Sequence, residues 1–458
     1  MALPPATTAD PIGADEPTNT DSAPDRARPR PGRRLYPWLV FALTFALLLS
    51  DYMSRQVLSA VFPFLKTEWA LTDSQLASLT SVVALMVGLL TFPLSLLADR
   101  WGRVRSLVLM AVIWSVATLC CAVAANYEQM LASRFLVGVG EAAYGSVGIA
   151  VVLGVFAPRV HSTLSGAFMA GGSFGSVIGV SLGGVIAVHL SWRWSFAAMA
   201  VLGLLLVALF RAVVTERRLA EHNSEDDLPA SAPATAGIRV PVSTLFTNPA
   251  VWCAYLGGGL QMFTAAVLLA WTPSFFNRYY GLAPDKAGVI ASLFVLLVGS
   301  GMVVCGMITD RVSGEDPRRK WASAIAYCII SLVTLGCAFA LDTGAPQLIL
   351  LGIGAFFSAG SSGPTAAMVA RLTHPSVRSS ALGSLTVANN ILGLATGPLL
   401  IGVLADRLGL LGALQVAPLV YVLAIAALAT GRRLHPAGLR TLAAQSAGRC
   451  PDAGADHR

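Results

Sequence analysis

The sequence predicts an all-α integral membrane protein, with twelve transmembrane helices in two pseudo-symmetric six-helix bundles. Three observations support this fold class. The 458 residues are 55% hydrophobic and only 12% charged, whereas a soluble protein carries roughly 25% charged residues. The apolar residues occur in blocks of about 20, the length of a helix that crosses a bilayer. A polar stretch separates the first six blocks from the last six.

The twelve predicted spans are joined by short connections. They cover residues 37–58, 75–97, 104–125, 130–155, 162–188, 194–214, 249–274, 285–309, 321–341, 347–370, 380–404 and 410–431. The composition of residues 1–35 predicts a disordered N-tail. The two bundles then occupy residues 36–214 and 249–432. Residues 215–248 form a polar, flexible linker, and residues 433–458 form a C-tail.

Basic residues indicate the orientation of these spans. Of the 31 Lys and Arg, 24 lie on one side of the predicted membrane and 5 on the other, and Arg55 and Arg134 lie within spans. The positive-inside rule therefore predicts that both tails and the linker are cytoplasmic, in an inner (plasma) membrane protein. The net charge of +7 follows from this topology and does not indicate nucleic-acid binding. The seven cysteines show no zinc or redox spacing, so neither a metal nor a cofactor is expected.

Four charged residues lie inside the predicted spans of the first half: Asp51 and Arg55 in the first, Arg134 and Glu141 in the fourth. A charge in hydrocarbon costs at least about 2.5–3.5 kcal/mol, so such residues face inward, pair or meet water. Arg134 and Glu141 are seven residues apart and share one helix face, about 10.5 Å apart along the axis. Tyr144 lies on the same side.

This placement predicts a polar site at mid-membrane. Glu141 and Asp51 are the candidate proton-coupling residues, and Arg134, Arg55 and Tyr144 are candidate substrate-binding residues. Two structural alternatives remain open. Arg134 could extend its charged end to the lipid headgroups, and Asp51 with Arg55 could form a self-satisfied pair at i and i+4.

The second half is nearly free of charge within its spans. Its candidate polar lining consists of Gln261, Trp271, Ser361, Ser362, Asn389 and Asn390. Adjacent asparagines in a span require a hydrogen-bonding partner or water. Ordinary hydrogen bonding between helices is the alternative role for each of these side chains.

Matched motifs in the two halves indicate a duplicated fold. One follows the second span and contains Asp99, Arg100, Gly102, Arg103 and Arg105, and its echo after the eighth span contains Asp310 and Arg311. Rows of small residues recur in the fifth and eleventh spans, where they allow close helix packing or sliding between the halves. These rows contain Gly175, Gly179 and Gly183 in the fifth span, and Gly393, Gly397 and the kink-forming Pro398 in the eleventh.

The Asp99 loop resembles the signature of the major facilitator superfamily, Gly-x-x-x-Asp-Arg-x-Gly-x-Arg-Arg/Lys. Ser95 replaces the first Gly, and Val104 splits the final basic pair. The resemblance implies a twelve-helix transporter, expected to be monomeric. It also implies that the motif's acid caps a neighbouring helix end and pairs with arginines, which latches the cytoplasmic side shut.

Within that superfamily the first half resembles the spinster-like branch. The resemblance rests on Tyr52-Met-Ser-Arg55-Gln, Asp73-Ser-Gln-Leu, the run from Arg134 to Glu141, and Trp192-Arg193-Trp-Ser-Phe. It implies proton coupling, as in bacterial members, or movement of lipids, as in animal members. The branch usually has an Asp immediately before the Arg of the first span. Here Ser54 occupies that position, and the acid lies one turn earlier at Asp51.

The resulting hypothesis is a secondary transporter that works by alternating access, with a small-molecule substrate, protons as the coupling ion and the lipid bilayer as its partners. The substrate is either a lipid-like amphipathic molecule or a small organic anion. A non-transporting receptor of the same fold is the alternative from another class, although the tails offer only low-complexity sequence. An enzyme or ATP-driven pump is not expected, because neither a phosphate-binding loop nor His-Glu-x-x-His is present.

Overall fold

A computed structural model describes residues 31–156, 161–223, 247–313, 316–374 and 377–446. Within these ranges the regular structure is entirely helical. The predicted N-tail up to residue 30, the linker between residues 224 and 246 and the last twelve residues of the C-tail lie outside the described residues.

Sixteen α-helices make up the described residues, together with two short segments of other helical type. The first half contains α1 Pro31–Glu68, α2 Asp73–Trp101, α3 Arg103–Val123, α4 Tyr127–Glu141, α5 Tyr144–Gly154, α6 His161–His189, α7 Trp192–Val213 and α8 Glu216–Asn223. The second half contains α9 Pro249–Tyr279, α10 Pro284–Ser313, α11 Pro317–Ala340, α12 Ala345–Ser358, α13 Ser362–Leu372, α14 Arg378–Ala388, a π-helical segment Asn389–Ala395, α15 Thr396–Val416, a 3₁₀ turn Ala417–Leu419 and α16 Val420–Ser446.

Among the described residues, eleven helical segments are long and apolar enough to cross a membrane. The last of them, Ser380–Ala443, has 64 residues, about three times what one crossing requires. It is interrupted at Gly409, whose backbone is non-helical (φ 75°, ψ 161°). Counting this segment as two crossings gives twelve, which confirms the predicted fold class.

Three boundaries differ from the predicted domain limits. Helix α1 begins at Pro31, so residues 31–35 extend the first helix instead of belonging to the tail; proline is well tolerated in a first turn. Helix α8 lies inside the predicted linker. Helix α16 continues to Ser446, beyond the predicted end of the last bundle at residue 432.

The fourth and tenth spans are each broken at mid-length. Helix α4 ends at Glu141 and α5 begins at Tyr144, while α12 ends at Ser358 and α13 begins at Ser362. A break frees backbone carbonyls that require partners inside a membrane. The carbonyl oxygen of Ala142 accepts a hydrogen bond from Thr91 Oγ1 of α2 at 2.6 Å. The duplication therefore extends to an irregularity in the backbone, and Glu141 lies at one of the two breaks.

The glycine row of the fifth span packs α6 against α1. A Cβ added at Gly175 would lie 2.5 Å from the carbonyl oxygen of Leu49, and one at Gly179 would lie 2.7 Å from the backbone of Met53. At Gly183 it would lie 2.5 Å from a Val57 methyl group. These glycines therefore provide close packing and seat the helix that carries Asp51 and Arg55. Helix α6 also meets α10 of the second half, where a Cβ added at Gly184 would lie 3.1 Å from the Pro284 carbonyl oxygen, and sliding between the halves stays a prediction.

The row in the eleventh span has the equivalent position in the second half. A Cβ at Gly393 would lie 2.5 Å from Met262 Cβ, and one at Gly397 would lie 2.7 Å from the carbonyl oxygen of Phe263. Both neighbours belong to α9. Gly393 and Gly397 therefore join the seventh and eleventh spans within the second half.

The eleventh span is distorted immediately before Pro398. The π-helical segment Asn389–Ala395 precedes this proline, which has no N–H to donate to the preceding turn. The Pro398 carbonyl oxygen accepts a hydrogen bond from Trp271 Nε1 at 3.3 Å. The predicted irregularity in this span is therefore present, and it takes the form of a widened turn.

Candidate functional site

An ion pair joins the first and fourth spans. The Arg55 guanidinium donates to Glu141 Oε2 from Nε at 3.0 Å and from Nη2 at 2.6 Å. The Glu141 side chain is fully buried, whereas that of Arg55 is 18% exposed. Arg55 therefore connects a buried carboxylate to accessible space.

Asp51 lies behind this pair. It is 3% exposed, and its carboxyl group is within hydrogen-bonding reach of the Glu141 carboxyl group. Asp51 Oδ1 and Glu141 Oε1 are buried oxygens without a hydrogen-bond partner. Two neighbouring carboxylates repel each other when both are charged, so a cation or a proton between them stabilises such an arrangement.

The structure therefore brings three of the predicted residues together. The hydrogen bonds of Arg55 go to Glu141 on another helix, so Asp51 and Arg55 do not form the self-contained pair considered as an alternative. Ser54, at the position where the spinster-like branch has its acid, donates its hydroxyl to the Ser50 carbonyl at 2.9 Å. The acid one turn earlier, Asp51, is the one that contacts Glu141.

Arg134 is buried in the protein. Its exposure is 0%, so the alternative in which it reaches the lipid headgroups is wrong. The guanidinium donates to the carbonyl oxygens of Leu79 and Ser54 at 3.3 Å and of Arg55 at 3.4 Å. It therefore places a fixed positive charge among the backbones of α1 and α2, beside the acid pair but away from accessible space.

Tyr144 also lies away from accessible space. Its hydroxyl donates to the Thr44 carbonyl oxygen at 2.9 Å, and its ring packs edge-on against Trp114 with centroids 4.9 Å apart. These contacts fix the start of α5 after the break at Glu141. In this conformation Tyr144 has a packing role, and its hydroxyl bonds to a backbone carbonyl oxygen of α1.

A cavity of about 100 Å³ lies between the two halves, with Arg55 in its wall. Among the described residues that line it, Arg55 is the one that carries a charge. The first half contributes mainly polar side chains and the second half apolar ones. The lining consists of Tyr52, Arg55, Gln56, Thr80, Ala84 and Ser176 from the first half and Ala266, Leu269, Ala270, Leu394 and Pro398 from the second.

Sequence reasoning identified Arg55 in this lining but missed its polar neighbours. Tyr52 and Gln56 lie within one turn of Arg55 on α1, so helical spacing from the charged residue is the signal that could have found them. Thr80 and Ser176 lie on other helices and have no such signal. The Arg55 guanidinium lies over the Tyr52 ring, 5.4 Å from its centroid, so these two residues form one continuous part of the lining.

The polar residues predicted for the second half lie outside this lining. Gln261 Oε1 accepts a hydrogen bond from Ser361 Oγ, and Gln261 Nε2 is buried without a partner. Trp271 packs against Phe62 of α1, with centroids 5.5 Å apart. Ser362 donates to the carbonyl oxygen of its own helix turn at Ala359. The Gln261–Ser361 bond and the Trp271–Pro398 bond are the ordinary inter-helix bonds considered as the alternative, whereas Ser362 bonds locally.

The paired asparagines lie in the widened turn of the eleventh span. Asn390 Nδ2 donates to the Thr386 carbonyl oxygen at 2.9 Å. The Oδ1 atoms of both Asn389 and Asn390 are buried without a hydrogen-bond partner. Their placement beside a distorted segment makes them a local polar feature of that span, adjacent to the cavity residues Leu394 and Pro398 in sequence.

A second charge cluster joins the two halves at the end of the bundle where α2 begins, which we call the Asp73 face. Asp73 Oδ1 accepts from Lys66 Nζ at 2.6 Å and from Arg278 Nη2 at 2.6 Å, and Asp73 Oδ2 accepts from Arg278 Nη1 at 2.8 Å. Bidentate arginine–carboxylate contacts are among the stronger polar contacts in proteins. Since Arg278 belongs to the second half, this pair closes the Asp73 face over the cavity.

At the opposite end of the bundle, Gly102 has φ 99°, a conformation that favours glycine. Glu216 Oε1 of α8 accepts from the backbone N–H of Val104 at 2.8 Å and of Arg105 at 3.3 Å. The acid that caps α3 therefore comes from the segment after the sixth span. The Asp99 side chain lies outside the described residues.

The remaining latch residues lie at the same end. Arg100, Arg105 and Arg311 are exposed. Asp310 is 74% exposed and pairs with Lys320 at 3.1 Å within its own half. The latching role of this motif stays a prediction.

The fold and this inter-half cavity are those of a membrane transport protein. The family model of the Major Facilitator Superfamily matches residues 44–345 and 255–449. The chain belongs to this superfamily, whose members are transporters and not enzymes.

Curated relatives carry transporter names. The chain is 26% identical to the probable L-galactonate transporter of Escherichia coli (strain K12) over 71% of its length and 73% of that protein. It is 28% identical to the gallate transporter of Pseudomonas putida over 70% and 74% of the two lengths. It is 23% identical to protein spinster homolog 1 of Xenopus laevis over 81% and 73%, which confirms the spinster-like relationship.

Solved structures show the same fold. A bacterial homologue of the human lysosomal transporter Spinster, inward-facing and unoccupied, superposes with a TM-score of 0.74 at 17% identity, covering 91% of this chain and 99% of that one. The D-xylose–proton symporter superposes with a TM-score of 0.68 at 17% identity, covering 86% and 97%. The chain is therefore a multi-pass membrane protein of the major facilitator fold.

Proposed function

We propose that this protein is a proton-coupled transporter of a small organic carboxylate, and that the substrate competes with Glu141 for Arg55. The observation that carries the proposal is the Arg55–Glu141 ion pair in the wall of the cavity between the halves. A guanidinium suits bidentate recognition of a carboxylate. Arg55 is therefore the group from which a substrate anion gains most.

Proton coupling follows from the carboxyl groups behind Arg55. When Glu141 is charged, it occupies the guanidinium. A proton taken up by the Asp51–Glu141 pair weakens that ion pair and frees Arg55 for the substrate. Release of the proton restores the pair and displaces the substrate. In this scheme one cation couples the two ligands, and no other charged group in the cavity lining is required.

Arg134 has a supporting part in the proposal. Its buried charge lies beside Asp51 and Glu141 and is held by backbone carbonyl oxygens. A fixed cation offsets the repulsion between two charged carboxylates. It therefore helps the proton that the Asp51–Glu141 pair has taken up to leave again. The proposal therefore assigns Arg134 to proton release and Arg55 to the substrate.

The names of the relatives support an acidic substrate. Galactonate and gallate, the compounds in the names of two of them, are carboxylates. A third relative, from Bacillus subtilis (strain 168), is named a hexuronate transporter. We further propose that the protein acts as a monomer in the inner membrane, with the Asp73 face outward and both termini in the cytoplasm, as the basic residues predict.

The test compares acids with neutral counterparts. The thermal stability of purified wild-type protein is measured with galactonate against galactitol and with gallate against methyl gallate, at about pH 5.5 and pH 7.5. We expect an acid to raise the melting temperature more at the lower pH, with no effect of its neutral counterpart. Glu141→Gln should bind the same acid equally at both pH values.

Two results would contradict this proposal. Equal stabilisation by an acid and its neutral counterpart would remove Arg55 as the recognition group. An unchanged pH dependence in Glu141→Gln would remove this residue from proton coupling. Uptake of the stabilising acid into proteoliposomes, driven by a pH gradient with and without sodium, identifies the coupling ion.

A second candidate is a lipid-like amphipathic substrate. The apolar wall formed by Ala266, Leu269 and Leu394 favours it, as does the spinster relationship. The same thermal assay with a lysophosphatidylcholine and a lysophosphatidylglycerol distinguishes the two. Stabilisation by a lysolipid, with none by the small acids, would select this candidate.

A further inference from the structure

The eleventh span carries a sequence that repeats the Asp99 motif. Residues 95–102 read Ser-Leu-Leu-Ala-Asp-Arg-Trp-Gly, and residues 402–409 read Gly-Val-Leu-Ala-Asp-Arg-Leu-Gly. The two runs share Leu, Ala, Asp, Arg and Gly at the same five places. Both final glycines, Gly102 and Gly409, have positive φ, at 99° and 75°. The likeness therefore extends to the backbone that ends each run.

The two copies lie at opposite ends of the bundle. The first ends α2, and the second lies in α15, which packs beside α2 across the boundary between the halves. A Cβ added at Gly402 would lie 2.6 Å from both the Asp73 carbonyl oxygen and Ala77 Cβ. Gly402 therefore seats the second copy against the first turn of α2, at the Asp73 face.

Asp406, one turn after Gly402, caps α2 from the other half. Its Oδ1 accepts from the Asp73 N–H at 2.6 Å, and its Oδ2 accepts from the Ser74 N–H at 3.0 Å. The first N–H groups of a helix have no partner within the helix. Thr72 Oγ1 satisfies only the next one, that of Gln75, at 3.2 Å. Two donors of α2 thus depend on a carboxylate of the second half.

We propose that Gly402 and Asp406 form a latch that holds the Asp73 face closed, and that α2 must lose this cap when that face opens. A carboxylate at a helix N-terminus also meets the positive end of the helix dipole. The latch adds to the Asp73–Arg278 pair, but it is a separate contact, because it binds backbone N–H groups and not a side chain. It does not depend on which substrate the protein carries.

The test measures the separation of the halves at this face. Spin labels at Glu128 of α4 and Thr343 of the α11–α12 connection, both exposed, report the distance in full-length protein whose seven native cysteines are replaced. Asp406→Ala should raise the ratio of long-distance to short-distance molecules by a factor between about 2 and 30, the range expected for loss of a helix cap. Asp342→Ala is the control, because Asp342 is an exposed acid of the same half in the loop at this face.

A second pair of variants keeps the test decisive if Asp406→Ala folds poorly. Gly402→Ala should shift the ratio in the same direction, because its methyl group meets the α2 backbone. Gly383→Ala, in the same span with no heavy atom within 4 Å of the added methyl group, should leave it unchanged. A distance distribution identical to wild type in a well-folded Asp406→Ala or Gly402→Ala protein would overturn the latch. A lower melting temperature with that identical distribution would leave Asp406 as a static cap and would equally overturn it.

Discussion

The first and second halves hold different chemistry at equivalent places. Asp51 lies twelve residues before Pro63 in the first span, and Gln261 lies twelve residues before Pro273 in the seventh. Asp51 meets Glu141 at the break of the fourth span, whereas Gln261 meets Ser361 at the break of the tenth. The same pair of helices, at the same breaks, thus carries two acids in one half and an amide with a hydroxyl in the other.

The two halves therefore share a fold, but only the first half has buried charged residues at these equivalent positions. A buried acid requires either a neighbouring cation or a proton, and the first half supplies cations at Arg55 and Arg134. The neutral pair of the second half needs neither, and its hydrogen bond survives any change of pH. One half is thus suited to ion coupling, and the other supplies the apolar wall of the cavity.

The largest effect on stability and uptake is expected from removal of Arg55, a cation with no equivalent in the second half. Arg55→Met leaves Asp51 and Glu141 buried without their nearest cation, and breaking such a pair costs about 3–5 kcal/mol. We expect a large fall in the melting temperature at pH 7.5 and loss of uptake. Adding Glu141→Gln should restore most of the stability but not the uptake. An unchanged melting temperature in Arg55→Met would show that the pair is already neutral at that pH.

A smaller effect is expected when charge is placed in the second half. Gln261→Glu introduces a buried acid without an arginine, at a cost of up to about 3 kcal/mol. Burial favours the neutral form of the new carboxyl group in the folded protein. The loss of folding stability should therefore be present at pH 7.5 and shrink as the pH falls toward 5.5. Gln261→Met is the matched control and should show no pH dependence. Equal pH profiles for the two variants would contradict the comparison.

The glycine rows test whether the two halves differ in packing as well. Gly179→Ala and Gly397→Ala each place a methyl group 2.7 Å from backbone atoms of the facing helix, and such overpacking costs about 1–3 kcal/mol. We expect similar falls in melting temperature. Only Gly179→Ala should also alter the pH dependence of ligand binding, because it displaces Met53 between Asp51 and Arg55. A matching change in Gly397→Ala would show that the halves are coupled more tightly than proposed.

The smallest effect is expected at Trp271, which the sequence suggests as part of the polar lining of a substrate site. Trp271→Phe removes one hydrogen bond to Pro398, worth about 0.5–1.5 kcal/mol. The ring still packs on Phe62, so uptake should change little. A strong loss of uptake with normal stability would return Trp271 to the substrate site.

Residue type and spacing predicted the fold and the centre of the site. Twelve apolar blocks and the basic bias were sufficient for the architecture, because the bilayer imposes both patterns. Asp51, Arg55 and Glu141 could be found because a charge stands out in an apolar helix. Arg134 stood out equally, yet its partners are backbone carbonyl oxygens, which carry no sequence signal.

The contacts between helices could not be predicted in the same way. Gly179 faces α1 and Gly402 faces α2, although both are glycines of apolar spans, because the direction that a residue faces depends on how whole helices pack. Helical spacing predicts Tyr144 on the face of Glu141, but the break after Glu141 interrupts that spacing, and the Tyr144 hydroxyl donates to the Thr44 carbonyl oxygen. The cap that Glu216 provides for α3 joins residues more than a hundred positions apart, which a local pattern cannot report.

The size of the cavity has a consequence for rates. At about 100 Å³ it is smaller than the roughly 300–1,000 Å³ of typical small-molecule sites, so a substrate enters only after the helices have separated. Binding should therefore proceed at a rate that levels off as ligand concentration rises, because the separation step becomes limiting. The apparent affinity is lower than the intrinsic one by the fraction of molecules already open. Variants that widen the cavity without touching Arg55 should then bind faster and more tightly.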